Sequence, residues 1–138
     1  MALYTSHRKV RLQDVDAAGI LFFPKFLEYC HDAYFDYLDE QGLNVPDSVA
    51  RGPFILPLVH AEADFKSPLR FGDEIIVSVD KAVAGQASSY TVFYSVMQQT
   101  GSDMTLCCEA RTVHAAISRK TFKPLKVLPG ELARALHL

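Results

Sequence analysis

Apolar residues recur at helical spacing in one stretch of the chain. After Pro24 they fall three or four positions apart, at Phe26, Cys30, Ala33, Tyr34, Tyr37 and Leu38. That period is typical of an amphipathic helix packed on a core. Pro24 suits a first helical position and Gly42 a C-terminal cap, so the pattern predicts a helix of about four turns. It is the only long helix that the sequence predicts.

Other segments alternate apolar and polar side chains, as half-buried strands do. The predicted strands are His7 to Leu12, Leu58 to Lys66, Glu74 to Val83, Ser89 to Gln98 and Met104 to Ser118. Short glycine-containing connections between the later strands favour antiparallel neighbours. The three prolines and the glycine between Asn44 and Pro57 predict a loop or short turns. A short final helix is expected to begin near Pro129.

This order of elements predicts an α+β fold, with the long helix on one face of a five- to six-stranded antiparallel sheet. Apolar side chains occupy more than half of the helix circumference. One sheet covers only part of such an arc. We therefore expect a homodimer, or a homotetramer built from dimers, in which a second copy covers the rest.

Composition narrows the class of protein. The 138 residues have the size of one ordinary domain, so we expect a single domain over residues 1–138. The balance of 14 basic and 16 acidic residues gives a net charge of −2, which argues against a nucleic-acid partner. The odd set Cys30, Cys107 and Cys108 is typical of buried, reduced thiols. With neither a signal-like leader nor a membrane-length apolar run, the sequence predicts a soluble, cytoplasmic protein.

The stretch from Asp14 to Pro24 carries the best candidate chemistry. Asp14 and Asp16 stand among small and apolar residues, and Asp16 is too far from Pro24 to cap the helix. A partly desolvated carboxylate is a better nucleophile or base, while Asp is also common in turns. Spacing alone leaves both roles open for Asp16. The Phe23 amide at the helix start lacks an intrahelical acceptor and is suited to a developing oxyanion.

Other candidate sites are weaker. His60 and Glu62 resemble the start of a zinc deaminase motif, but the Pro-Cys-x-x-Cys half is missing, so we expect no metal and interpret them as a polar strand face. His31 and Asp32 are adjacent on the predicted helix and do not face each other. Nucleotide-binding glycine loops and a Gly-x-Ser-x-Gly elbow are absent from the sequence.

Two segments resemble a known family. They are DVDAAGILFFP from Asp14 to Pro24 and LPLVHAEADFKSPLRFGD from Leu56 to Asp73. The sequence resembles hotdog-fold acyl-CoA thioesterases of the 4-hydroxybenzoyl-CoA thioesterase family, and within it the 1,4-dihydroxy-2-naphthoyl-CoA thioesterases of phylloquinone and menaquinone synthesis. The resemblance implies hydrolysis of an acyl-CoA without a cofactor. It also implies that Asp16 is the catalytic carboxylate and that the Phe23 backbone N–H is the oxyanion donor.

The family's site lies between two protomers, so the resemblance implies an acyl pocket lined partly by the strand around Leu58 and His60. Phe22, Phe26 and Phe54 would give that pocket an aromatic lining that suits a flat aromatic acyl group. The loop from Val83 to Ser88 has no basic residue. Coenzyme A phosphates are therefore expected to meet other basic residues, namely Lys66, Arg70, Arg119 or Lys120.

Two alternative functions stay open from the sequence. The chain could hydrolyse fatty acyl-CoA or acyl-ACP thioesters, which a chain-length preference and a deep tunnel would reveal. It could also be a non-catalytic module that binds an acyl ligand. The retained carboxylate at Asp16 argues against the second alternative, because a binding module does not need it.

Overall fold

The computed structural model describes all 138 residues as a five-stranded antiparallel sheet with a long helix across one face. In chain order the elements are β1 Tyr4–Lys9, a 3-10 turn Leu12–Asp14, α1 Pro24–Glu40, α2 Val45–Arg51, β2 Phe54–Ile55, β3 Leu58–Phe65, β4 Glu74–Ala84, β5 Ser89–Thr100, β6 Asp103–Ala115, β7 Ile117–Ser118 and α3 Gly130–Ala135. The sheet order is β1-β4-β5-β6-β3, and β2 pairs with β7 in a separate two-stranded ladder. The predicted α+β class and antiparallel sheet are confirmed, with five strands.

The core lies between α1 and the sheet. The helix begins at Pro24 and ends before Gly42, whose φ of 89° suits only a residue without a side chain. Seven side chains of α1 are buried in the single chain: Phe26, Tyr29, Cys30, Ala33, Tyr34, Tyr37 and Leu38. Burial of a large apolar side chain stabilises the fold by about 1.5–3 kcal/mol.

The apolar arc of α1 is covered more completely than the sequence suggested. Residues that follow the helix pack against the same core, among them Leu43, Val45 and Leu56, and the core also includes Leu132 of α3 and Leu136 directly after it. Leu27 and Phe35 of α1 nevertheless stay only half-buried in the single chain, so the expected homodimer or homotetramer stays a prediction.

Three predicted segments differ in the structure. The first strand lies earlier than expected, at Tyr4–Lys9, because it pairs with β4 and is followed by the 3-10 turn. The expected loop 44–57 contains α2 and β2, since Pro46 occupies the first turn of a helix, where proline is tolerated, and Phe54 pairs with Ser118. The last long strand ends at Ala115, and the chain then turns to form β7.

The cysteines are free and buried, as predicted. Cys107 and Cys108 are adjacent, yet both are buried, because the β5–β6 register shifts there: Val96 pairs with Cys108 and Met97 with Leu106. An extra residue on one strand lets neighbouring side chains avoid the usual alternation of faces.

The two edge strands differ in character. β1 presents the basic run His7, Arg8 and Lys9, which is a common way to protect an edge. β3 pairs only with β6 and exposes Val59 (60% accessible) and Phe65 (50%). None of the helices is both long and apolar enough to cross a membrane.

Candidate active site

Asp16 lies in a tight, hairpin-like loop that leads into α1. Its amide donates to the Ile20 carbonyl at 2.9 Å, and its own carbonyl accepts from the Gly19 amide at 2.9 Å. Oδ1 of its side chain accepts the Ala18 amide at 2.8 Å and the Ile20 amide at 3.3 Å. The second carboxylate oxygen has no partner in the chain, so it is free to meet a substrate.

The loop requires glycine at one position. Gly19 has a φ of 81°, in the left-handed region that side chains disfavour. This conformation turns the chain back so that the Asp16 carboxylate can accept the following amides. The expected desolvation of Asp16 is not found within one chain, where Asp16 and the neighbouring Ala17 and Ala18 are all exposed.

The start of α1 supplies the second predicted group. Phe23 is the N-cap and already has helical backbone angles, with Pro24 as the first helical residue. Of the three amides at this point, that of Phe22 donates to the Asp14 carbonyl at 2.9 Å and that of Lys25 donates to the Phe22 carbonyl at 2.8 Å. The Phe23 amide donates to no acceptor in the chain. A free N–H at the positive end of a 17-residue helix favours a negatively charged oxygen.

The two carboxylates of the motif have different surroundings. Asp14 is buried (9% accessible), accepts the Tyr29 hydroxyl at 2.5 Å and lies 3.6 Å from the Lys25 ammonium. Asp16 is exposed and uses only one oxygen within the chain. Asp14 is therefore committed to internal contacts, whereas Asp16 is available to a ligand.

Aromatic rings form a surface beside the helix start. Phe23 is 62% accessible, and its ring centroid lies 5.3 Å from that of Phe22 and 6.2 Å from that of Phe65. Phe65 also lies 5.3 Å from Phe26, which is buried. The structure thus joins the predicted Phe22 and Phe26 to the site and adds Phe65, which the sequence analysis did not select. Its sequence signals were an apolar side chain near the end of a predicted strand and a place within the second segment that resembles the family.

Other predicted lining residues lie elsewhere in the single chain. Phe54 is buried in β2 and lines a small apolar cavity of about 50 Å³ together with Phe35 and Leu38 of α1. Phe35 follows Phe23 by twelve residues, or about 18 Å along a helix. Leu58 and His60 lie on the edge strand β3, where both are exposed and His60 Nε2 is 3.7 Å from Glu62 Oε2. One chain therefore does not bring these three residues to the Asp16 loop.

Three of the candidate phosphate-binding cations lie in different surroundings. Arg70 pairs with Ile20 of the Asp16 loop through the backbone, and its guanidinium forms no salt bridge. Lys66 lies 3.9 Å from Glu109. Lys120 is exposed in the turn after β7, remote in sequence from the loop.

Arg119 has a structural role instead. Its guanidinium donates to the carbonyls of Gly52 (2.6 Å), Ser48 (3.0 Å) and Val49, at the C-terminal end of α2. These contacts use Nε and Nη2 of Arg119, so the contact with coenzyme A expected for this residue stays a prediction. No three His, Cys, Asp or Glu side chains come together as a metal-binding group.

Known proteins match nearly the whole chain. The sequence model of the Thioesterase-like superfamily matches residues 10–136. A 1,4-dihydroxy-2-naphthoyl-CoA hydrolase of Synechocystis sp. is 35% identical over 118 residues, which cover 86% of this chain and 83% of the relative. A 1,4-dihydroxy-2-naphthoyl-CoA hydrolase of Nostoc punctiforme is 31% identical over 134 residues, which cover 97% of this chain and 86% of the relative. The crystal structure of a 1,4-dihydroxy-2-naphthoyl-CoA thioesterase from Synechocystis aligns with a TM-score of 0.88 at 32% identity, covering 97% of this chain and 95% of that chain.

Proposed function

The chain belongs to the Thioesterase-like superfamily, and on that premise we propose that it hydrolyses the thioester of 1,4-dihydroxy-2-naphthoyl-CoA. The predicted family and the prediction of an acyl-CoA thioester hydrolase are confirmed by the relatives. The observation that carries the site assignment is the free oxygen of Asp16 in the loop that leads directly to the unpaired Phe23 amide. We place the reaction in the cytoplasm, with residues 1–138 acting as one domain.

The aromatic surface supports a flat acyl group. Phe22, Phe23 and Phe65 present accessible rings next to the amide that would hold the carbonyl oxygen. Aromatic rings pair favourably in offset or edge-to-face arrangements, at centroid distances of about 4.5–7 Å. A naphthoyl ring offers such faces and edges along its whole length, whereas an acetyl group offers none.

The chemistry follows from the two groups. The thioester oxygen accepts the Phe23 N–H, which stabilises the negative charge that develops there. In one route the free oxygen of Asp16 bonds to the carbonyl carbon, the C–S bond breaks, and water then hydrolyses the mixed anhydride. In the other route Asp16 takes a proton from water as the water attacks, and that proton ends on the coenzyme A sulfur. Both routes use the same oxygen.

Arg70 is the cation that we assign to the coenzyme A phosphates. It follows Leu69, whose carbonyl accepts the Leu21 amide at 2.7 Å, so its backbone is fixed beside the Asp16 loop. Its guanidinium has no carboxylate partner. Guanidinium groups bind phosphate oxygens through paired N–H donors, which suits this role.

We propose that the active form of the protein is a homodimer that assembles through β3. This strand leaves one row of backbone hydrogen-bonding groups unpaired and exposes Leu58, Val59 and Phe65. A second copy paired on this edge would satisfy those groups and cover the apolar side chains. It would also bring the partner's strand toward the Asp16 loop, which is the placement that Leu58 and His60 need to line the acyl pocket.

The dimer is tested by sedimentation velocity on Val59→Asp, with Val127→Asp as the control. Both valines are exposed, at 60% and 71%, but Val127 lies outside the sheet. We expect a monomer from the first variant and a dimer from the second. A wild-type monomer, or a Val59→Asp dimer of unchanged affinity, contradicts the assignment.

The function is tested by following thiol release from a panel of coenzyme A esters. The panel contains 1,4-dihydroxy-2-naphthoyl-CoA, 4-hydroxybenzoyl-CoA, a medium and a long fatty acyl-CoA, and a matching acyl-ACP. Highest kcat/KM for the naphthoyl ester supports the proposal. A higher value for the aliphatic esters, with a chain-length optimum, moves the assignment to fatty acyl turnover. Binding of the esters without any thiol release refutes hydrolysis.

A further inference from the structure

Asp14, two residues before Asp16, makes three contacts with α1 and the residues that lead into it. It accepts the hydroxyl of Tyr29, one and a half turns into α1, and lies 3.6 Å from the Lys25 ammonium in the first turn. Its backbone carbonyl accepts the Phe22 amide at 2.9 Å. One residue therefore ties the strand side of the loop to the helix side.

Tyr29 is held tightly for this contact. Its side chain is 2% accessible, and the Arg8 guanidinium of β1 lies 3.7 Å from its ring centroid. Burial, followed by the hydrogen bond to Asp14, raises the pKa of Tyr29 well above its ordinary value. The hydroxyl therefore keeps its proton and donates to Asp14 at any physiological pH.

These contacts bear on the two groups assigned to the reaction. Asp16 follows Asp14 by two residues, and Phe23 is the residue after Phe22. A shift of Asp14 relative to α1 would change the separation between the Asp16 carboxylate and the Phe23 amide. A misplacement of about 1 Å in an active site lowers the rate by up to about 100-fold.

We propose that Asp14 and Tyr29 are positioning residues, which hold the Asp16 carboxylate and the Phe23 amide at the separation that thioester hydrolysis needs. The proposal rests on the function proposed above. Neither residue touches the substrate; each acts through the loop and the helix start.

The test compares Tyr29→Phe with Tyr37→Phe. Both tyrosines lie on α1, both are 2% accessible, and both donate a buried hydrogen bond, Tyr29 to Asp14 and Tyr37 to the Ala135 carbonyl. We expect similar losses of melting temperature from the two variants. Only Tyr29→Phe should lower kcat, by about tenfold or more, with KM close to that of the wild type. Equal kcat values in the two variants overturn the proposal.

Conservative substitution of Asp14 provides a second comparison. Asp14→Asn keeps an oxygen for the Tyr29 hydroxyl, and Asp14→Ala removes it. If the hydrogen bond positions the loop, Asp14→Asn keeps more of kcat than Asp14→Ala does. Equal losses in variants of equal stability contradict the role.

Amide hydrogen exchange separates this proposal from the function itself. The Phe22 amide reports the loop directly, because it donates to the Asp14 carbonyl. We expect faster exchange at Phe22 in Tyr29→Phe and unchanged exchange in Tyr37→Phe. This result in a protein that hydrolyses no ester would refute the proposed function and leave Asp14 and Tyr29 as the loop's anchor. Unchanged exchange at Phe22 in Tyr29→Phe refutes the anchor whatever the activity.

Discussion

Asp16→Asn removes the proposed reacting group and leaves the loop almost untouched. Oδ1 of Asp16 accepts two amides, at 2.8 and 3.3 Å, and the Asn side chain retains one oxygen for both. The NH₂ group then occupies the position of the free oxygen, which has no partner in the chain. The substitution therefore changes the chemistry at one exposed atom.

The expected magnitudes differ sharply between stability and activity. Exposed substitutions that break no contact usually change stability by less than about 0.5 kcal/mol, so Asp16→Asn should unfold like the wild type. Asp16→Ala loses both hydrogen bonds and should be less stable by about 1 kcal/mol. An amide is neither nucleophile nor base here, and loss of such a group lowers kcat by about 100- to 10,000-fold.

The assay follows thiol release from the naphthoyl ester in parallel with urea unfolding. Asp39→Asn is the matched control, because Asp39 Oδ1 likewise accepts a backbone amide, that of Val45 at 2.9 Å, at the far end of α1. We expect the control to retain full activity. Wild-type kcat in Asp16→Asn would refute the carboxylate mechanism, and unfolding of Asp16→Asn would refute the account of its hydrogen bonds.

Other predictions test the cations and a buried histidine. Arg119→Ala should lower stability by about 1–2 kcal/mol by freeing the end of α2, with KM unchanged, whereas Arg70→Gln should raise KM with stability unchanged; the reverse pattern would exchange their roles. His114 is fully buried beside His31, and burial lowers its pKa from 6.5 to about 4. As the pH falls, His114 of the unfolded chain binds a proton at a higher pH than His114 of the folded chain does. The free energy of unfolding should therefore fall by about 3 kcal/mol from pH 6.5 to pH 4. Urea titrations of His114→Gln should lack most of this fall; an equal fall would assign it to other groups.

Helix α1 and strands β3 to β6 were predictable because their signals are local. The spacing of apolar residues over four turns and the flanking Pro24 and Gly42 specify the helix without reference to the rest of the chain. Alternation with period two specifies each strand in the same way. The DVDAAGILFFP motif identified the loop and the helix start as the candidate site, since both lie within eleven consecutive residues.

The remaining features depend on residues that are far apart in the chain. β2 forms because Phe54 pairs with Ser118, and α2 is held by Arg119, about 70 positions away. The sequence also did not predict that Asp14 and Asp16 have different environments. Tyr29, fifteen residues after Asp14, donates a hydrogen bond to the buried Asp14 carboxylate and makes none to Asp16. By itself, then, the sequence determined the family, the principal elements and the loop that carries Asp16. The contacts that orient this loop were decided by the tertiary structure, because a hydrogen bond between distant residues leaves no periodic signal in the sequence.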